Sequence, residues 1–233
     1  MSQQLHFIGF SIETFAFLRE NRLQNSKDWF EKNKPAYESH VFAPLRALVT
    51  DLAPTILSID EQIEVTPAIN KTISRIYRDT RFSKDKSLFR EDIWISFKRR
   101  LKPDFCLPEF YFYATPQHYE YGMGYYSADK KAMDQFKEAI IAHPGAFREA
   151  IAFLKSPRNP FTFISEKYKR RNTTEVHEEF RDWMLVKTFH FPFKREFDDS
   201  LFSDKLVGEM VEGYNLLAPL YQFIVFYTLK NIG

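Results

Sequence analysis

The stretch EFYFYATPQHYEYGMGYY (residues 109–126) contains two runs in which aromatic residues recur at every second position, separated by TPQH. Residues two apart share one face of a β-strand, and proline is favoured at the second position of a turn. The stretch therefore predicts an antiparallel hairpin. DIWISFKR (92–99) alternates in the same way and should place Ile93, Ile95 and Phe97 against a helical layer.

A fourth strand is predicted at ISRIYRDTRF (73–82). As a strand it would place two sets of side chains on opposite faces. These are Arg75, Tyr77, Asp79 and Arg81 on one face and Ile76, Arg78, Thr80 and Phe82 on the other. Long cations on both faces are unusual for a strand, which makes this segment a candidate for function.

On both sides of the predicted strands (residues 73–126), apolar residues recur at the spacing of three or four that is typical of helices. Ser11 is a predicted N-cap, with Phe10 and Phe15 spaced as a hydrophobic staple. Pro44 fits the first turn of a later helix, and Pro54 should end or kink that helix. The order of helices, strands and helices predicts a single α+β domain over residues 1–233. Its mostly antiparallel sheet of about four strands would be flanked by N-terminal and C-terminal helices.

Composition limits the class of protein. Hydrophobic residues make up 44% of the 233 residues, including 25 Phe, so we expect a globular chain with an aromatic core. A single cysteine, Cys106, excludes an internal disulfide and fits a reducing compartment. There is no signal-peptide pattern, and the longest apolar run, FIVFY, is far shorter than the ~20 residues of a membrane helix. We therefore expect a cytoplasmic protein with no membrane partner; its oligomeric state is left open.

Positive charge is concentrated in one segment. The net charge of the chain is +2, but residues 71–102 contain 11 basic and four acidic residues. Such a local excess attracts anions. The candidate ligand-binding residues are Arg75, Arg78, Arg81, Lys84, Lys86 and Arg90. A carboxylate between two guanidinium groups fixes their orientation, a role assigned here to Asp79 between Arg75 and Arg81.

Three interpretations of this segment stay open: an internal charge network, a site for a phosphate or carboxylate ligand, and a nucleic-acid contact. Asp79 and Asp85 are weak candidates for catalysis, with Asp85 as a base if it approaches a substrate. Whether any chemistry follows binding is not determined by the sequence. The favoured hypothesis is a cationic pocket for an anionic small molecule. The alternative is a non-catalytic module that binds nucleic acid or a protein partner.

Other motifs carry little chemistry. The six histidines form no H-x-H or H-E-x-x-H pair, so no metal site is predicted. No phosphate-binding G-x-x-x-x-G-K-[ST] loop occurs, and no cofactor is expected. The lone G-x-G at Gly122 and Gly124 is more typical of a bulge or of close backbone packing than of a phosphate-binding turn.

The charged segment also carries a family resemblance. RIYRDTRFSKDKSLFR (75–90) resembles the R-x-x-R-D-x-R-F-x-x-D-K-x-P-[YF]-[KR] signature of the microbial family known as domain of unknown function 2461. The N-terminal pattern with Asn25, Trp29, Phe30, Lys34 and Tyr37, the YGMGYY run, and WMLVKTF with Lys187 are similar to further motifs of that family. The chain departs from the signature at Leu88, where proline is usual. The resemblance covers nearly the whole chain and implies an α+β fold and a cytosolic protein, but no established activity.

Overall fold

Alternating apolar residues build an antiparallel sheet at the centre of the molecule. The computed structural model describes residues 6–81, 83–99, 106–126, 128–169 and 176–229. The strands are β1 Ile93–Phe97, β2 Glu109–Ala114, β3 His118–Gly124, β4 Ile164–Lys167 and β5 Val186–Glu196. Their order in the sheet is β1-β2-β3-β5-β4, with antiparallel neighbours. The predicted α+β class and the 109–126 hairpin are confirmed, and the described sheet has five strands where about four were expected.

Along the sequence, helices occur before β1, between β3 and β4, between β4 and β5, and after β5. They are α1 Ile12–Gln24, α2 Lys27–Lys32, α3 Lys34–Tyr37, α4 Ala43–Ile59, α5 Lys130–Ala142, α6 Pro144–Ala150, α7 Arg181–Met184 and α8 Lys205–Leu229. A π-helical turn, Glu38–Phe42, joins α3 to α4, and 3₁₀ turns lie at Ala152–Lys155 and Glu178–Phe180. Ser11 is the N-cap of α1 as predicted, and the Phe10 and Phe15 rings lie 6.3 Å apart. Pro54 does not end α4, which continues to Ile59.

One face of the sheet carries the hydrophobic core. On β2, Phe110 and Phe112 are completely buried, and the Phe110 ring lies 5.1 Å from both Tyr214 and Tyr221 of α8. Aromatic pairs at such distances stabilise a fold beyond the area that they bury. The helical layer predicted to cover Ile93, Ile95 and Phe97 is therefore present, and these three residues are buried.

The helical stretch Lys34–Ile59 is long and apolar enough, by length and composition alone, to cross a membrane. Core helices of globular proteins pass the same test. Leu45, Leu48 and Leu52 belong to the buried core, where α4 packs against α8.

The predicted strand at 73–82 is wrong as a regular element. Isolated bridges join Ile73 to Ile95 and Tyr77 to Phe89, so the segment runs beside β1 as an irregular edge. The two cross-strand pairs differ in register by two residues, which interrupts a continuous ladder. Phe82 lies outside the described residues.

Sequence reasoning missed β5, which lies between β3 and β4. Phe189, Phe191 and Phe193 alternate there, but Pro192 argues against an interior strand because proline lacks an N–H group. The Pro192 carbonyl accepts a hydrogen bond from the Thr162 N–H at 3.0 Å. The N–H and C=O of one strand residue point to the same side. The side on which Pro192 lacks an N–H therefore faces away from β3 and lies beyond the end of β4, so no bond between paired strands is lost.

The glycine pair of β3 confirms the prediction of close backbone packing. A Cβ atom on Gly122 would lie 1.9 Å from the Phe191 carbonyl oxygen, and one on Gly124 would lie 2.3 Å from the His190 Cβ. Any side chain at either position would therefore push β3 away from β5.

Candidate functional site

The cationic segment, residues 75–90, is a loop held at its ends by backbone pairing. The Arg78 N–H donates to the Leu88 carbonyl at 2.8 Å, and the Arg90 N–H donates to the Ile76 carbonyl at 3.0 Å. These bonds close the loop beside β1. An exposed loop held on a sheet in this way is a common location for ligand contacts.

Arg78 and Asp85 form the centre of the loop. The Arg78 guanidinium donates to Asp85 Oδ2 and, at 2.7 Å, to Ser87 Oγ. Arg22 of α1 donates to the same carboxylate oxygen at 2.5 Å and to the Phe89 carbonyl at 2.9 Å. Asp85 is therefore held between two guanidinium groups, which ties the loop to α1.

Asp79 forms a second ion pair further along the loop. The Arg81 Nε donates to Asp79 Oδ1 at 3.0 Å, and its second nitrogen donates to Oδ2 at 2.6 Å. Asp79 therefore orients Arg81, one of the two guanidinium groups that it was predicted to hold. Arg75 lies close enough to lower the pKa of Asp79, but no hydrogen bond joins the two side chains among the described residues.

Two further bonds fix the loop backbone. The Lys86 Nζ donates to the Thr80 carbonyl at 2.8 Å. The Leu88 N–H donates to Asn25 Oδ1 at 2.7 Å. Asn25 follows α1 in the left-handed conformation, with φ of 46°, which asparagine tolerates better than most residues. A proline at position 88, as in the family signature, could not make this bond.

The sequence did not identify Arg22, Asn25 and Ser87 as parts of this network. Ser26 rather than Asn25 caps α2, with its Oγ accepting from the Trp29 N–H at 3.3 Å. Arg22 lies in the last turn of α1, from which its guanidinium reaches Asp85. Neither role was visible without the tertiary arrangement.

The network leaves several cations at the surface. The segment contains six basic and two acidic residues, so it keeps a positive charge with both carboxylates ionised. The Arg81 side chain is 76% exposed, whereas Arg78 is 22% exposed. Arg75, Lys84 and Lys86 are also exposed. Five of the six predicted binding residues thus divide into a structural member, Arg78, and four that face solvent.

The two carboxylates are poor candidates for bases. Hydrogen bonds from Arg81 hold the pKa of Asp79 well below its usual range. Hydrogen bonds from Ser87, Arg22 and Arg78 do the same for Asp85. Since a strongly depressed pKa means weak proton affinity, this geometry argues against the proposed role of Asp85 as a general base.

Arg90, the last predicted site residue, lies apart from the others on the sheet. Its guanidinium carbon is 4.5 Å from the centre of the Trp94 ring. The nearest carboxylate oxygen, on Asp92, is 3.9 Å away, too far for a hydrogen bond. The buried Nε of Arg90 has no hydrogen-bond partner among the described residues. Stacking therefore orients the side chain while leaving hydrogen-bonding capacity unused.

Three observations outside the cationic segment bear on the candidate site. The Nζ of Lys187 lies 5.0 Å from the centre of the Tyr168 ring. Arg99 is bonded to Asp60 and Gln62 and is not part of an exposed basic stripe. Over the described ranges, no three residues among His, Cys, Asp and Glu come together in a way that could hold a metal.

Two grooves in the described part of the chain lie away from the cationic segment. One, of about 520 Å³, is lined by residues that include Phe15, Phe197 and Phe202. The other, of about 330 Å³, is lined by residues that include Asp60, Arg99 and Tyr221. Neither is lined by residues 75–90, so these cations form a surface rather than the wall of either groove.

Comparison with known proteins assigns the family but no activity. No curated protein matches the chain significantly. A family model described as conserved hypothetical protein (DUF2461) matches residues 13–223, which include the whole cationic segment, the sheet and most of α8. The chain belongs to this DUF2461 family of conserved hypothetical proteins.

Proposed function

We propose that the protein binds an anionic small molecule, bearing phosphate or carboxylate, at the cationic segment. The observation that carries this proposal is that different side chains of the loop fix its conformation and face the solvent. Arg78, Asp85 and Arg22 fix the conformation, while Arg75, Arg81, Lys84 and Lys86 face solvent with excess positive charge.

Preorganisation supports binding over a purely structural network. Ordering long cationic side chains costs conformational entropy, and exposed ion pairs repay little of it in stability. A loop already fixed by its own ion pairs avoids much of this cost when a ligand binds. The planar guanidinium of Arg81, oriented by Asp79, is suited to a phosphate or carboxylate group.

A small ligand is favoured over a nucleic-acid backbone. A nucleic-acid contact requires a stripe of cations along the surface, and Arg99 would be its next member after the loop. Arg99 is instead directed to Asp60 beside α8. Arg100, Arg170 and Arg171, which would extend the stripe, lie outside the described residues.

The test is a thermal-shift titration with inorganic phosphate, compared with chloride at the same ionic strength. A ligand that binds the native state raises its melting temperature. Phosphate should stabilise the wild type but not the triple variant Arg75→Ala, Arg81→Ala, Lys84→Ala. Arg158→Ala removes an exposed cation from the loop after α6 and should leave the shift unchanged.

Equal phosphate shifts in the wild type and the triple variant would refute the proposal. A single-stranded oligonucleotide serves as the second probe. If it binds tightly and with a steep dependence on salt while phosphate does not, a nucleic-acid function replaces the small-ligand function.

A further inference from the structure

The face of the sheet opposite the core carries a row of polar and aromatic side chains. Cross-strand pairs share one face, and the pairing register aligns Trp94, Tyr113, Glu120 and Lys194 across β1, β2, β3 and β5. We call this side of the sheet the open face. The described helices contact the other side, through residues such as Phe110 and Tyr121.

Arg90 lies at one end of this row, stacked on Trp94. Tyr113, the next member, donates to Asp92 Oδ2 at 3.1 Å, which holds Asp92 beside Arg90. Arg90, Asp92 and Glu120 all influence the pKa of Tyr113, which burial raises to about 12. Tyr113 therefore connects the cationic end of the row to Glu120 and stays protonated at neutral pH.

Glu120 is surrounded by groups that can donate or accept hydrogen bonds. The Tyr111 hydroxyl donates to it at 3.3 Å, and the His118 ring lies 6.2 Å from the Tyr113 ring. Burial lowers the pKa of His118 and of His190, so both imidazoles are neutral at pH 7. A neutral imidazole offers one donor and one acceptor.

The middle of the open face has no side chains on β3. Gly122 and Gly124 occupy the positions next to Tyr111 and Glu109 in the register. Neither glycine can accept a Cβ atom, because atoms of Phe191 and His190 lie within 2.3 Å of where it would be, so β3 and β5 pack closely there.

We propose that the open face binds the polyhydroxylated body of a sugar or polyol phosphate whose phosphate group is held by Arg90 at the border of the cationic segment. This inference rests on the proposed function and names its substrate class. Carboxylates accept hydrogen bonds from hydroxyl groups, while tyrosine and neutral histidine can both donate and accept, as each hydroxyl also does. Tyr113 supplies an apolar ring face for the carbon skeleton.

The dimensions agree with such a ligand. Neighbouring strands are ~4.8 Å apart, so the row from Trp94 on β1 to Lys194 on β5 covers about 14 Å. Arg90, whose side chain is 24% exposed, provides the anion-binding guanidinium at one end. The carboxylate of Glu120 lies between Tyr113 and Lys194 in this row, where it can accept hydrogen bonds from hydroxyl groups.

The test measures affinities by calorimetry for inorganic phosphate, glycerol 3-phosphate, ribose 5-phosphate, glucose 6-phosphate and free glucose. At least one phosphate monoester should bind the wild type tenfold or more tightly than phosphate. Glu120→Gln and Tyr113→Phe should each lose most of this gain while keeping the affinity for inorganic phosphate. Arg90→Lys should weaken both, because a single ammonium cannot replace the planar guanidinium.

Glu166→Gln is the matched control, since it removes an exposed carboxylate from edge strand β4. Circular dichroism spectra and melting temperatures establish that each variant folds. If phosphate binds but no monoester binds more tightly, or if Glu120→Gln and Tyr113→Phe leave the gain intact, the inference is wrong while the proposed function stands. Failure of all anions to bind would instead refute both.

Discussion

The side chain of Asn25 should hold the cationic segment against the end of α1. Substitutions of Asn25 separate the contribution of its hydrogen bond to stability from that of its left-handed backbone. Its Oδ1 accepts the Leu88 N–H at 2.7 Å, and its own backbone is left-handed with φ of 46°. Asn25→Gly removes the side-chain acceptor but keeps a residue suited to this backbone. Asn25→Ala removes the acceptor and adds backbone strain. Asn25→Asp keeps an acceptor in the same place.

The expected magnitudes follow from these contacts. A hydrogen bond of this kind contributes about 1 kcal/mol, and a left-handed alanine costs roughly 1 kcal/mol or more. Asn25→Gly should therefore lower the free energy of unfolding by about 1 kcal/mol and Asn25→Ala by about 2 kcal/mol. In a chain of this size, the alanine variant should melt roughly 4–8 °C lower.

Urea denaturation of the three variants checks this ordering, and a phosphate titration of each reports the position of the loop. Asn25→Asp should retain phosphate binding, whereas the glycine and alanine variants should bind more weakly because the loop loses an anchor. Wild-type stability and binding in Asn25→Gly would show that the bond to Leu88 does not hold the loop. Equal stability of the glycine and alanine variants would contradict the assigned backbone strain.

Three further outcomes are expected. Gly122→Ala should lower the free energy of unfolding by about 2 kcal/mol or more, since its Cβ would overlap the β5 backbone. Gly145→Ala is the control and should not destabilise α6, because the space around its Cβ is open. Urea denaturation measures both. Asp85 has a depressed pKa in the folded state, so its stabilising effect should be present above about pH 4 and lost as the pH falls below that value; Asp85→Asn should flatten this part of a stability–pH profile. Tyr221→Phe should cost about 1 kcal/mol in urea denaturation, because the Tyr221 hydroxyl donates to buried Asp60 at 2.8 Å.

Much of the sheet could be predicted because its central strands alternate cleanly. On β2 the buried Phe110 and Phe112 alternate with less buried tyrosines, which is the pattern of a sheet with one face in the core. The edge segment 73–82 failed for a physical reason. Its alternation mixes the buried Ile73 and Ile76 with cations that face solvent or the loop network, and no regular ladder forms when the register shifts by two residues.

The candidate site was predictable in composition but not in its internal pairing. The sequence identified Asp79 and Arg81 as partners, because two residues close in the chain can meet without knowledge of the fold. The partner of Arg78 was not predicted to be Asp85, and Arg22 is 63 residues away from Asp85 in the chain. Contacts of that kind depend on how α1 packs beside the sheet. The row on the open face was missed for the same reason, since it exists only through the register of four strands.

The arrangement of charges explains why the loop and the open face differ in what they can bind. In the loop, both carboxylates are already bonded to guanidinium groups, so an added anion meets cations without displacing an acid. On the open face the order is reversed. Arg90 lies 3.9 Å from its nearest carboxylate oxygen, on Asp92, without a hydrogen bond, whereas Glu120 is bonded to a tyrosine hydroxyl and keeps further lone pairs for donors. A ligand that is anionic at one end and rich in hydroxyl groups at the other can bind the cations with the first end and form hydrogen bonds to the open face with the second. An anion without hydroxyl groups satisfies only the loop, so the ratio of the two affinities measures how far the sheet contributes to binding.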